Sequence, residues 1–264
     1  MEIGTYAFIE LKRERNYEGI MKIKNGLVNI NSLQKEMPEE GVMLSAELSK
    51  VDLESINSLF NGLSSEPLIT DMDVNIQELD VYGYKILNAN IKYVPTNKNV
   101  SIQILSNDVV GNILWDSKEN LLKAGFEKLH LKKNNTPIDD ENKFIFSDAP
   151  KINIKAKSLM IDEDVYGDLS LIGFKENKMW NIENFKITNP NHKISGSGLW
   201  DDEGLSPNPS INFSWDIANI EKTFDQLSYP ELIKDGKASV IGMLSWPKSP
   251  FDFDKSSLKG NFSL

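Results

Sequence analysis

The sequence predicts a mostly β protein: an extended, curved antiparallel meander sheet with an open groove, built from repeats and carrying two short helices. Three observations lead there. Apolar and polar residues alternate with period two through most of the chain, as in Ile211, Phe213, Trp215 and Ile217 separated by Asn212, Ser214 and Asp216. Turn signals punctuate the runs every 8 to 15 residues. Two markers return about 85 residues apart: Asp80-Val81-Tyr82-Gly83 as Asp164-Val165-Tyr166-Gly167, and Gly111-Asn112-Ile113-Leu114-Trp115-Asp116 as Gly196-Ser197-Gly198-Leu199-Trp200-Asp201.

Residues 1–66 are expected to be the end of a strand meander plus a short helix. Lys24-Asn25-Gly26 marks a turn, and Val51, Leu53, Ile56, Leu59, Phe60 and Leu63 fall at helical spacing over Val51 to Leu63. Residues 67–149 form a first β unit, opened by Met72, Val74 and Ile76 against Asp71, Asp73, Asn75 and Gln77. It carries a hairpin at Gly83, a turn over Pro95 to Asn99, the strand ending at Trp115-Asp116, and a polar loop over Asn134 to Lys143 that reads as an insertion.

Residues 150–264 form the second unit, and the two are expected to share one continuous sheet. Ile152, Ile154 and Ala156 alternate with lysines and Asn153, Gly167 repeats Gly83, and turns follow at Lys175 to Lys178 and Asn189-Pro190-Asn191. Trp200 repeats Trp115. Ile217, Ile220, Phe224 and Leu227 give a helix over 217–227, stopped by Pro230 and Gly236. The alternation runs on to Leu264, which reads as an open sheet edge and a piece of something longer. Two separate β-sandwiches of common ancestry are the alternative, disfavoured because no Pro/Ser/Gly-rich linker divides the units.

Composition excludes several function classes. Hydrophobic residues make up 40% and charged ones 26% of 264 residues, a balance expected of a folded soluble chain, and no apolar run reaches the length of a spanning helix. The N-terminus has no signal-peptide pattern. A net charge of −10 opposes nucleic-acid binding, and the absence of cysteine removes disulfides and thiolate ligands. Lys118, Lys123, Lys128, Lys132 and Lys133 form a basic stretch, read as strand-edge lysines that block edge pairing.

Catalytic and metal signals are lacking. His130 and His192 have no partner at ligand spacing, and Ser32-x-x-Lys35 and Ser245-x-x-Lys248 stand without the rest of a serine–lysine site. The acidic clusters Asp139-Asp140-Glu141, Asp162-Glu163-Asp164 and Asp201-Asp202-Glu203 lack the ligand spacing and glycine of a calcium loop. The chain is therefore expected to be no enzyme and to hold no cofactor and no metal. Its tryptophans recur in one register, which favours a structural role over a sugar-stacking platform.

One stretch resembles a known family. Gln226-Leu227-Ser228-Tyr229-Pro230, Asp235-Gly236-Lys237, Leu244-Ser245-Trp246-Pro247 and Ser249-Pro250-Phe251-Asp252-Phe253-Asp254 are similar to the C-terminal region of the YhdP proteins, large AsmA-like envelope proteins of Gram-negative bacteria. Trp200-Asp201 and Glu36 to Gly41 extend the likeness through most of the chain. The resemblance implies a segment of a bridge-like carrier that holds phospholipid acyl chains in an apolar β-groove between inner and outer membranes. It also implies a periplasmic location, in a parent protein anchored to the inner membrane through parts absent here.

Groove candidates are Val74, Ile76, Ile152, Ile154, Ile211, Phe213 and Trp215, and the structural repeat positions are Gly83, Gly167, Trp115 and Trp200. The competing readings are a structural or assembly module like the AsmA and TamB proteins, and a glycan-binding β-sandwich.

Overall fold

The computed structural model describes residues 6–15, 19, 21–32, 35–53, 69–95, 99–116, 118–134, 150–177, 179–201, 208–247 and 255–264. Fifteen strands form one sheet in strict chain order. They are β1 (Ala7–Arg15), β2 (Met21–Ile30), β3 (Gly41–Asp52), β4 (Ile69–Val81), β5 (Tyr84–Pro95), β6 (Asn99–Leu105), β7 (Val109–Asp116) and β8 (Leu121–Lys133). There follow β9 (Lys151–Ile161), β10 (Asp164–Glu176), β11 (Met179–Thr188), β12 (His192–Asp201), β13 (Ser210–Ile217), helix α1 (Ile220–Gln226), β14 (Ala238–Ser245) and β15 (Lys259–Ser263).

The curved meander is as the alternation predicts, but it is not antiparallel throughout. β2–β3, β3–β4 and β8–β9 pair in parallel. A parallel neighbour needs the chain to travel back along the strand before re-entering the sheet. The parallel pairs are separated by the longer connections 31–40, 53–68 and 134–150, whereas antiparallel joints turn in two residues at Tyr82-Gly83 and Asp162-Glu163. The polar loop over Asn134 to Lys143 falls in the third of these connections, where residues 135–149 lie outside the described residues.

The first return is tied down by polar contacts. Asn25 Nδ2 donates to the Pro38 carbonyl at 2.8 Å, Ser32 Oγ to the Ser45 carbonyl at 3.0 Å, and Lys35 Nζ meets Asp73 at 2.7 Å. Lys24-Asn25-Gly26 makes no turn. The three residues lie within β2, where the pairing with β1 shifts between Lys12 and Arg13, so the turn signal marks a β-bulge.

Of the two expected helices, α1 forms, starting at Ile220 because Asn219 caps it and accepts from the Lys222 N–H at 2.9 Å. Ile217 stays in β13. In the other, Val51 and Asp52 end β3, and residues 54–63 lie outside the described residues. Val51 is buried in the core instead of on a helix face.

The repeat is half right. Trp115 and Trp200 end β7 and β12, the fourth strands counted from β4 and β9, each four residues after a glycine. Gly83 and Gly167 are not equivalent. Gly83 takes φ 79° in the two-residue turn, with its N–H donating to Asp80 Oδ1 at 2.9 Å. Gly167 lies inside β10 between two register shifts. The turn that matches Tyr82-Gly83 is Asp162-Glu163, so the shared tetrapeptide slid along its hairpin.

The deepest core gathers Ala46, Val51, Val74, Ile76, Leu79, Ile86, Ala89 and Val109 from β3, β4, β5 and β7. Here the sheet curls on itself. Tyr84 and Lys85 of β5 pair directly with Lys133 and Lys132 of β8, past the tip of the β6–β7 hairpin. Asn134 N donates to the Gly83 carbonyl at 2.7 Å and fastens that end.

Candidate functional site: an apolar face across fifteen strands

Partners directly opposite in a β ladder point to the same side of the sheet, so the register alone tells which side chains share a face. Following one set of partners from β1 gives Ile9, Val28, Leu44, Met72, Tyr93, Ile102, Ile113, Ala124, Ile154, Leu171, Phe185, Gly196, Phe213, Gly242 and Phe262. Every strand contributes, and none of these residues is charged. With strands about 4.8 Å apart the row is roughly 65–70 Å long.

Two more apolar rows flank it. One runs from Ala7 through Ile30, Ala46, Val74, Ile91, Ile104, Gly111, Phe126, Ala156, Leu169, Ile187, Ile194 and Trp215 to Val240. The other runs from Trp115 through Leu122, Ile152, Gly173, Ile182, Gly198, Ile211 and Leu244 to Gly260. One residue out of phase, on the opposite face, stand Asn29, Ser45, Asp73, Lys92, Gln103, Asn112, Gly125, Lys155, Ser170, Lys186, Ser195 and Ser214. The sheet has one apolar side and one polar side along its length, the polar side being buried at Asn29 and Ser45 and solvated further along.

Six of the seven groove candidates fall in these three rows, and Ile76, opposite Ala89, continues the same face on β4. They divide into two groups. Val74 and Ile76 are buried at 5% and 4% exposure in the curled core, where neighbouring side chains already fill the space. They pack rather than line free surface. Ile152, Ile154, Ile211, Phe213 and Trp215 are only half-buried, on β9 and β13.

Sequence reasoning missed the role of the glycines on this face. A Cβ on Gly196 would meet the Phe185 ring at 2.8 Å, and one on Gly173 would meet the Trp180 ring at 2.7 Å. Each ring therefore occupies the space that a side chain on the neighbouring strand would need. Phe126 over Gly111 repeats the arrangement. Alternating large ring and missing side chain allows strands to bend without crowding the inner face. Gly-x-Gly-x-Trp in β12 is its visible trace in the sequence.

Trp180 and Trp200 sit opposite each other and bury one another, with Ile152 and Ile182 against them, whereas Trp115 is 41% exposed. At the other end His192 stands edge-on to Trp215, ring centroids 6.1 Å apart, and is buried at 2% exposure. Burial depresses the imidazole pKa, and a hydrogen bond to the Tyr166 backbone partly offsets the effect. His130 reaches Ser158 Oγ at 3.2 Å on the wet face and is also depressed, chiefly by desolvation.

Helix α1 does not lie over the rows. Thr223 Oγ1 donates to the Asn191 carbonyl at 3.3 Å, and Gln226 Oε1 accepts from the side-chain amides of Asn189 and Asn191 at 3.3 and 3.0 Å. The helix is thereby moored to the β11–β12 turn at the margin of the sheet. No helix of the described residues is long and apolar enough to cross a membrane, and no group of three or more metal-ligating side chains occurs among them.

No curated protein and no solved structure matches the chain. The model of the YhdP protein family matches residues 1–264, the whole length. With its continuous strand order and two-sided sheet, the chain belongs to the YhdP family.

Proposed function

We propose that the chain is a segment of a bridge-like lipid carrier in which the half-buried apolar face of β9 to β14 holds phospholipid acyl chains and leaves headgroups in water. The observation that carries this reading is the uncharged row reaching every one of the fifteen strands, with the one described α-helix moored beside it rather than on it. Monomeric proteins rarely leave such long apolar surfaces without a ligand or partner.

Transfer of hydrocarbon to such a surface yields about 0.8 kcal/mol per methylene and requires no directional contact. An acyl chain can therefore shift along the row at nearly constant energy. The work is binding rather than bond making, in line with a non-enzymatic family of the cell envelope. Within that envelope the periplasm, between an inner-membrane anchor and the outer membrane, is the compartment in which such a row would carry lipid. Ile154, Leu171, Phe185, Phe213 and Trp215 form the accessible floor; Val74 and Ile76 serve as the packed end of it.

Lipid mass spectrometry of the gently purified chain tests the proposal. About one or more phospholipids per chain is the expected result. A folded chain that carries none, and takes none up from vesicles, refutes it and leaves a purely structural β module.

A further inference from the structure

The wet face carries a charge pattern independent of the apolar rows. Toward β3 to β5 most of its lysines are matched: Lys35, before β3, with Asp73, and Lys50 and Lys85 both with Glu78, at 2.7 to 3.0 Å. On β8 and β9, Lys132 meets Asp108 and Lys157 meets Glu127. Four other lysines, Lys123, Lys151, Lys155 and Lys186, are exposed on the same face, with no side-chain partner among the described residues.

Edge protection does not explain them. β8 is an interior strand, paired with β7 on one side and β9 on the other, so no edge exists there to defend. The register sets Lys155, Ser170 and Lys186 side by side, which puts the two lysine backbones about 10 Å apart with a hydroxyl between them. Lys123 lies two residues along β8 from Gly125, the partner of Lys155, and Lys151 four residues along β9. Three carboxylates stand near by register: Glu127, two residues along β8 from Gly125 and already held by Lys157; Asp168, two residues along β10 from Ser170; and Glu183, in the β11 bulge. Ile172 and Leu199 stand out on this face at 36% and 47% exposure.

We propose that this wet face of β8 to β12 docks on an anionic bilayer surface. Unpaired lysines spread over several strands suit laterally mobile lipid phosphates, which come to each ammonium wherever it stands. Exposed aliphatic side chains between the lysines then enter the headgroup boundary. The chain's net charge of −10 does not forbid this, because beyond about 10 Å in 0.1 M salt the remaining charges are screened. The surface lies on the opposite side from the acyl-chain rows and does not depend on the carrier proposal.

Co-sedimentation with phosphatidylcholine vesicles, with and without phosphatidylglycerol, is the test. The chain is expected to bind only the anionic vesicles and to let go at about 0.5 M salt. Lys123→Glu/Lys155→Glu/Lys186→Glu should weaken partition by more than about a hundredfold, since losing each lysine near such a surface costs about fivefold and the added carboxylates repel the phosphates. Lys→Gln at the same three positions should give a smaller loss in the same direction. Lys22→Glu/Lys222→Glu/Lys237→Glu changes net charge equally and should bind as the parent does.

Equal loss in both charge-reversal triples, or equal partition onto neutral and anionic vesicles, overturns the assignment. So does a chain that ignores anionic vesicles but is retained by polyglutamate, which would mean an acidic protein partner.

Discussion

Replacing Phe213 by Asp puts a carboxylate on the long apolar row near its C-terminal end, between Gly196 and Gly242, whose lack of side chains leaves nothing to shield it. Phe213 is half-buried, so deleting its ring should cost about 2 kcal/mol of stability, half the ~3–5 kcal/mol of a fully buried phenylalanine. The effect on lipid is larger. A hydrocarbon chain crossing that point loses roughly 80 Å² of apolar contact, about 2 kcal/mol, and must also strip water from a charge. Together these predict at least a thirtyfold loss of retained lipid. Ser214→Asp, one residue on, points to the wet face and should change stability by less than about 0.5 kcal/mol and lipid not at all. The paired readouts are phospholipid per chain by mass spectrometry and the urea midpoint. If Asp at 213 and at 214 affect lipid equally, or if the folded Phe213→Asp chain keeps its full lipid load, the two-sided account of the sheet is wrong.

Val74→Asp places a charge in the curled core and should lower the urea midpoint by the equivalent of about 3 kcal/mol or more, without any lipid being involved. Gly196→Val must displace Phe185 or the neighbouring backbone and should cost about 2–3 kcal/mol by chemical denaturation, while Gly125→Ala, where a Cβ would find open space, should be near neutral. Trp200→Ala should destabilise by about 3–5 kcal/mol and Trp115→Ala by less than half of that, because only the first is enclosed. The His192 imidazole is held below its ordinary value, so between the folded and unfolded pKa values the unfolded chain binds the extra proton. Its contribution is complete above about pH 6.5 and is lost as pH falls through the folded value; His192→Asn should flatten the decline in melting temperature over that range, with the His130 part remaining.

The two faces were legible in the sequence because period-two alternation survives any tertiary arrangement, and Ile211 to Ile217 announces its inner side without help. Strand direction was not legible. Whether β8 is followed by an antiparallel or a parallel neighbour depends on where the chain travels between Asn134 and Pro150, and alternation reads the same in both directions. Bulges hid the rest. Phe126 and Leu129 both pack on the core because β8 carries a bulge between them, and Val74, Ile76 and Leu79 join one core cluster although they are not spaced by twos, so a strict count along the strand fails. The ring-over-glycine contacts escaped for a related reason: Gly196 and Phe185 are eleven positions apart, and nothing local ties one to the other. Which groove candidates are already filled likewise depends on the curl that brings β5 against β8.

Strict chain order has a consequence for how the molecule is made. Each strand hydrogen-bonds to the strand synthesised just before it, so a growing chain can zip up as it leaves the ribosome, with little wait for a distant partner. The pairing of β5 with β8 is the exception. Until Lys132 and Lys133 have been synthesised, the ends of Tyr84 and Lys85 have no neighbour there, and that latch is the point at which assembly must pause for residues nearly fifty positions downstream.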